Sequence, residues 1–127
     1  MRDSQLKALR PAIPTIHEAQ SVSIGENFQN RTLRPVLKLQ NDLLVALLKH
    51  YFEKRKNTYY QLAADRRAAY IEHSVRKDLR FRNLLLGTII GQFTAAELET
   101  YLENEADVRR RLVSLLVQRF VDQLSHL

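Results

Sequence analysis

The chain of 127 residues is long enough for one domain with an apolar core and too short for two ordinary domains. Apolar residues make up 45% of it, which indicates a folded chain, and the absence of cysteine excludes disulfides, thiolate metal sites and cysteine nucleophiles. The formal net charge of +6 makes the protein basic, and basic proteins often bind polyanions.

Residues 1–34 are predicted to form an irregular N-terminal arm packed on the body, with a short helix over 3–10 that Pro11 ends. The first eleven residues lack the apolar segment of a secretory signal. The longest charge-free run, 83–96, has 14 residues, whereas a membrane helix needs about 20. We therefore expect a cytoplasmic protein without a membrane span.

The strongest helical pattern runs from Leu33 to Lys56, with Thr32 as N-cap and Pro35 in the first turn. Its apolar residues cover about two thirds of the circumference, which predicts the central helix of the domain.

Gln40 and Asn41 fall within the apolar arc of that helix, where buried amides need partners. They predict either a polar ligand pocket or an internal hydrogen-bond network. The residues of this candidate site are Arg34, Gln40, Asn41, Asp78, Arg82 and Asn83.

Capping signals divide the following segment. Thr58-x-x-Gln61 has a capping-box pattern, and a break near Ala64 is possible. Asp78 is expected to cap a helix over 79–90. Thr94-x-x-Glu97 is a second capping box, which predicts a helix ending near Glu103.

Two glycines lie in the most apolar stretch of the chain. Gly91 is predicted to end the helix as a left-handed residue, and Gly87 to let a neighbouring helix pack closely. The alternative is a surface where another backbone or a ligand approaches.

The last helix is predicted from about Glu105 to Ser125, and its apolar residues span roughly 200° of the helical wheel. A surface helix of a monomer needs little more than 100°. The surplus predicts either deep burial or a subunit interface, and a homodimer through this helix is the expected partner arrangement.

Charge is distributed unevenly along the chain. Residues 54–82 contain nine Lys or Arg and three Asp or Glu, a net of +6, whereas 93–107 contain five acidic and no basic residues. The basic region predicts nucleic-acid binding, a solvated face, or a complement to the acidic segment of the same chain or a second subunit.

No enzymatic motif is evident. His17, His50, His73 and His126 form no metal-binding pattern, and no nucleophile elbow or nucleotide-binding glycine pattern occurs. We predict no catalytic residues, no metal and no cofactor, although a small helical enzyme with scattered Arg, Asp and Asn stays open.

Three stretches, "RPAIP" at 10–14, "FQNRTLRPVLKLQNDLL" at 28–44 and "KDLRFRNLLLGTIIGQFT" at 77–94, carry a resemblance. The chain resembles a family of short, uncharacterised bacterial proteins that often bear the automatic label "glyoxalase". That label implies βαβββ modules with His and Glu metal ligands on strands. The chain has no strand pattern and no such ligand set, so no catalytic residue is carried over.

The sequence thus predicts a single all-α domain, a bundle of about five helices over 33–127 with the arm packed on it. The leading functional prediction is a self-associating helical interaction module. The alternatives are nucleic-acid association through 54–82, and a ligand-binding protein or enzyme with a polar pocket near Gln40 and Asn41.

Overall fold

A computed structural model describes residues 1–13 and 23–127, and these residues form helices and no strand, which confirms the all-α class. The α-helices of the described residues are α1 (Arg2–Leu9), α2 (Ile24–Phe28), α3 (Arg34–Leu39), α4 (Asn41–Lys54), α5 (Thr58–Gln61), α6 (Ala64–Lys77), α7 (Leu79–Ile90), α8 (Ala95–Glu103) and α9 (Glu105–Val121). A π-helical turn, Gln29–Leu33, joins α2 to α3, and a 3-10 turn, Leu124–His126, follows α9. The predicted number of about five helices is therefore too low. None of the described helices is long and apolar enough to cross a membrane.

The segment before the predicted central helix is helical rather than irregular. Helical structure begins at Ile24, and the Ser23 hydroxyl caps it by accepting a hydrogen bond from the Glu26 backbone N–H. Thr32 is consequently a residue within the helical path and not its N-cap. The short helix expected over 3–10 is found at Arg2–Leu9, while His17 and the rest of the arm over 14–22 lie outside the described residues.

The π-helical turn has a local cause in Pro35. Proline has no backbone N–H, so inside a helix it leaves the carbonyl four residues earlier without its usual partner. Here the Arg34 N–H bonds to the carbonyl of Gln29, five residues back, which widens the turn just before the proline. The sequence pattern placed Pro35 in a first turn, where no such adjustment is needed.

The central helix is α9 and not the predicted helix over 33–56. α9 packs against α2, the π-helical turn, α6, α7 and α8. Its wide apolar face is buried within the chain by the residues Val108, Leu112, Val113, Leu116, Val117 and Phe120. In contrast, α4 keeps Leu43 about half exposed. Burial within the chain therefore accounts for the wide apolar face of α9. This face no longer supports the predicted dimer interface on the helix.

Gly25 allows α2 to approach α9 closely. A Cβ atom added at this position would lie 1.9 Å from the Asp107 carboxylate and 2.7 Å from the Arg111 guanidinium. These two side chains form an ion pair of 3.0 Å across the glycine. Close backbone approach, rather than an unusual backbone conformation, is thus the reason for glycine here.

Three capping predictions have different outcomes. Asp78 caps α7 by accepting from the Phe81 N–H, and Thr94 and Glu97 form a complete capping box at α8. The capping box at Thr58 is wrong because the preceding Asn57 turns the chain with a positive φ of 55°. Thr58 is then the first helical residue, and its hydroxyl donates to the Arg55 carbonyl instead.

The two glycines of α7 also differ from the prediction. Gly87 is exposed, and an added Cβ would meet nothing within 4 Å, so none of the described helices packs against it. α7 does end before Gly91, but this residue has a right-handed φ of −60°. The carbonyls of Gly91 and Phe93 accept hydrogen bonds from Arg2, and that of Gln92 accepts one from Arg10. The last-turn carbonyls of α7 have their own donors: Gly87, Ile89 and Ile90 accept from the backbone N–H groups of the three residues after the helix, and Thr88 accepts from Gln40. A left-handed glycine is therefore not required.

Candidate functional site

Five cationic side chains from three helices surround one surface recess of about 430 Å³, which we call the basic cleft. α6 contributes two residues from its last turn, α7 contributes one, and α9 contributes two near its start. The lining residues are Arg76, Lys77, Arg82, Arg109, Arg110 and Val113.

Local structure explains why these cations converge. Asp78 ends α6 and caps α7 at once, so the chain reverses within one residue and brings Arg82 back beside the end of α6. The Arg82 guanidinium donates to the Arg76 carbonyl at 3.3 Å. Basic groups at a helix C-terminus are also favoured by the helix dipole. α9 packs against both helices and supplies the remaining side of the cleft.

Acidic residues neutralise only part of this charge. Arg76 pairs with Glu72 at 3.2 Å, Arg109 pairs with Glu105 at 3.5 Å, and Arg110 pairs with Asp107. These are exposed pairs within single helices, of the kind that contributes little to stability.

Two cations of the cleft lack such pairs. Within the described residues Lys77 and Arg82 make no ion pair, and the Arg82 Nε atom is buried without a hydrogen-bond partner. The basic cleft therefore retains an excess of positive charge.

A second recess, of about 580 Å³, adjoins the basic cleft and shares Lys77 with it. We call it the aromatic recess, because tyrosine and histidine rings line it. Its lining includes Tyr51, Arg55, Tyr70, His73, Asp78 and Leu79.

The aromatic recess contains an ordered stack of planar groups. The Tyr51 ring stacks on Phe81 with centroids 4.0 Å apart, and the Arg55 guanidinium lies 4.0 Å from the Tyr51 ring centroid. Asp78 holds this stack, since its carboxylate accepts from the Tyr51 hydroxyl at 3.2 Å and from Arg55. The hydrogen bond from the Phe81 N–H is the main cause of the lowered pKa of Asp78; its burial opposes this, while Tyr51 and Arg55 lower the pKa further.

A different charged group, centred on Glu97, lies where the N-terminal segment meets α8. Both Glu97 oxygens accept hydrogen bonds of 2.7 Å from Arg10, and they also accept from the Thr32 hydroxyl and the Thr94 N–H. The Arg10 side chain is only 7% exposed and that of Glu97 only 12%. We call this set of residues the N-terminal clamp.

Hydrogen bonding sets the protonation state of the N-terminal clamp. Burial acts to raise the pKa of Glu97, but the hydrogen bonds from Arg10 and Thr94, the charge of Arg10 and the Thr32 hydroxyl outweigh it and lower the pKa to about 2. Glu97 is therefore ionised at neutral pH. A recess of about 650 Å³ lies beside it, yet the two charged groups of the clamp are bonded to each other and not directed at a ligand.

The candidate polar pocket of the sequence does not form as one site. Asn41 exchanges two hydrogen bonds with the side chain of Gln123 beyond α9 and also accepts from Arg119. Gln40 donates instead to the Thr88 carbonyl of α7. These amides connect α4 to α9 and α7, as expected for the internal network and not for the ligand pocket.

Arg34 lies near the Asn41 network, because it lines a small recess together with Arg119 and Gln123. The other three members are placed elsewhere, and Asn83 is exposed. Asp78 belongs to the aromatic recess, and Arg82 to the basic cleft. The network alternative thus fits Gln40 and Asn41, whereas Asp78, Arg82 and Asn83 were grouped with them by polarity alone.

Sequence reasoning missed Arg109 and Arg110 as site residues. They follow directly after the acidic run, and their charge was not combined with that of residues 76–82 because only tertiary packing brings α9 to α6. The consecutive arginines at 109–111 were the available signal.

Metal ligation finds no support in the part of the chain that the structure describes, where no three His, Asp or Glu side chains are grouped to hold an ion. His50, His73 and His126 are each exposed. Comparisons of the chain with protein-family models, with curated proteins and with solved structures found no match. They leave the resemblance to the glyoxalase-labelled family as a prediction.

Proposed function

We propose that this protein binds nucleic acid, and that the basic cleft contacts the phosphate groups. The observation that carries the proposal is the convergence of five cations from α6, α7 and α9, of which Lys77 and Arg82 have no acidic partner among the described residues. Phosphate is the ligand that such a group of guanidinium and ammonium donors fits best, and the net charge of +6 adds long-range attraction.

The proposal predicts a strong dependence of affinity on salt. Each phosphate neutralised by a cation releases condensed counterions, and five contacts give a slope of log Kobs against log salt of about −3.5 for a single strand. Fluorescence anisotropy with a labelled oligonucleotide over a range of salt concentrations measures this slope.

Charge reversal in the cleft tests its location. Lys77→Glu combined with Arg110→Glu is expected to weaken binding by about tenfold or more at low salt. The matched control is Lys38→Glu combined with Lys49→Glu, because these exposed residues carry the same charge but do not line the cleft. Equal loss in both variants, or no binding by the unaltered protein at low salt, contradicts the proposal.

Self-association is a second candidate function, supported by an exposed surface on α8. Leu98 is 39% exposed and Leu102 is 57% exposed, and the exposed acids Glu99 and Glu103 lie on the same helix. This surface is opposite in charge to the basic cleft. We propose that a second copy of the chain places its acidic α8 surface against the cleft, in place of the predicted contact through the last helix.

The two surfaces are suited to a two-fold arrangement. Only Asn104 separates α8 from α9, and Arg109 of the cleft pairs with Glu105 at the start of α9. Neighbouring patches of opposite charge allow each copy to give and receive the same contact. Sedimentation analysis is expected to detect a dimer at low salt that Glu99→Lys with Glu103→Lys abolishes. A strict monomer at high protein concentration contradicts this candidate.

A further inference from the structure

The aromatic recess and the basic cleft meet at one shared residue. Lys77 lines both, so a phosphate held at its ammonium group would lie at the boundary between them. The aromatic recess has a volume of about 580 Å³ and is open to solvent. A nucleotide bound at this boundary would therefore have space for its base beside its phosphate.

The interior of the aromatic recess suits a flat ring. Phe81, Tyr51 and Arg55 already form a stack of three planar groups, and Asp78 fixes the Arg55 guanidinium at its end. The Arg55 side chain is still 44% exposed. An arginine held on one face by an aromatic ring can stack a nucleobase on its other face.

Apolar exposure at the rim supports the same occupant. Leu79 lines the recess with 57% of its surface exposed, although it lies among Lys77, Arg80 and Arg55. Tyr70 and His73 contribute rings to the same recess. A site that combines exposed apolar, aromatic and cationic groups matches a ligand with an aromatic ring attached to an anion.

From this arrangement we infer that the aromatic recess receives an unpaired nucleobase while Lys77 and the basic cleft hold the adjoining phosphates, so that the protein binds single-stranded nucleic acid in preference to a duplex. In a duplex the bases are stacked internally, and removing one from the stack costs free energy. This inference rests on the proposed function, because it assigns the form of nucleic acid that the basic cleft takes.

The test compares three labelled probes of equal length: a thymine single strand, the same strand with abasic sites throughout, and the duplex. Base stacking on such a surface predicts about fivefold or tighter binding of the thymine strand than of the abasic strand. The duplex is expected to bind more weakly than the thymine strand at the same salt concentration. Equal affinity for the thymine and abasic strands, or tighter binding of the duplex, overturns the inference.

Variants separate the base site from the phosphate site. Arg55→Lys keeps the charge but removes the planar guanidinium, so it is expected to weaken binding of the thymine strand and to leave the abasic strand unchanged. Lys77→Glu is expected to weaken the binding of both strands. Leu79→Ser is a second base-site variant whose exposed position protects folding, and it should behave as Arg55→Lys does. If each of these two variants changes the affinity for the thymine strand and for the abasic strand equally, the inference is overturned.

The outcomes distinguish this inference from the proposed function. If no probe binds at low salt, the proposed function fails. If all probes bind with equal affinity and Lys77→Glu weakens the binding of each, the proposed function stands and the inferred nucleobase site is wrong.

Discussion

The N-terminal clamp and the basic cleft are built from the same chemical groups, yet their charges are balanced in opposite ways. In the clamp, one carboxylate receives four hydrogen bonds and one guanidinium faces it with both terminal nitrogens. In the cleft, three of the five cations pair with one acid each, and the other two have no acidic partner in the described residues. Charges that are buried and paired hold a fold together, whereas charges left in excess on a surface are available to a partner.

The largest expected effect comes from breaking the clamp. Glu97→Ala leaves the nearly buried guanidinium of Arg10 without its counterion, which is expected to lower the free energy of unfolding by about 3–5 kcal/mol. Urea denaturation followed by circular dichroism measures the loss. Glu103→Ala is the control, because it removes an exposed carboxylate from the same helix. Similar stability of the two variants would show that the clamp is not a stabilising pair.

The second effect is a pH dependence that belongs to the clamp. The folded pKa of Glu97, about 2, lies below its unfolded value of 4.5, so its stabilisation is present above pH 4.5 and disappears as the pH falls towards 2. At about 1.4 kcal/mol per pKa unit, the loss is about 3 kcal/mol. The difference in unfolding free energy between the unaltered protein and Glu97→Gln, followed from pH 7 to acid, should shrink over this range. A constant difference would contradict the lowered pKa.

A smaller effect is expected from the cap that orients Glu97. The Thr94 hydroxyl accepts from the Glu97 N–H at 3.2 Å, so Thr94→Ala should reduce stability by about 0.5–2 kcal/mol. Thr94→Ser keeps the hydroxyl and should retain most of this stability in the same denaturation measurement. If serine and alanine are equally damaging, packing of the buried methyl group, and not the cap, determines the loss.

The smallest effect on stability is expected in the cleft, and it sharpens the contrast. Lys77→Gln removes an exposed cation without an ion-pair partner in the described residues, so the unfolding free energy should change by no more than about 0.5 kcal/mol. The same variant should reduce the slope of log Kobs against log salt by about 0.7 for a single strand. A large loss of stability together with unchanged nucleic-acid binding would reverse the roles assigned to the two sites.

The elements that the sequence predicted well are those with local signals. Asp78 and Thr94 lie at the starts of α7 and α8, and the predicted ends Ile90 and Glu103 agree with the structure. Capping is local, because a side chain bonds to the backbone two or three residues away. The helical segment over 24–33 was missed because polar residues conceal its pattern, while Phe28 packs edge-on against Phe93 from a distant part of the chain.

The candidate sites were harder to predict because they depend on tertiary packing. Arg10 is 87 residues from Glu97, and no periodicity connects them. Likewise, Arg109 and Arg110 reach the end of α6 only through the packing of α9. Sequence reasoning identified the basic region correctly as a source of positive charge, but the structure was needed to group its members.

The clamp also has a consequence for the order of events in folding. α1 has no buried residue, so polar bonds to the turn between α7 and α8 hold it rather than apolar burial. The Arg10–Glu97 pair of the clamp likewise joins residues 87 positions apart, and Glu97 is itself part of the capping box of α8. Such a long loop is costly to close early in folding. We expect the clamp to be absent from the folding transition state, so that its loss accelerates unfolding and leaves the folding rate nearly unchanged. The clamp would therefore control mainly how long the folded state persists.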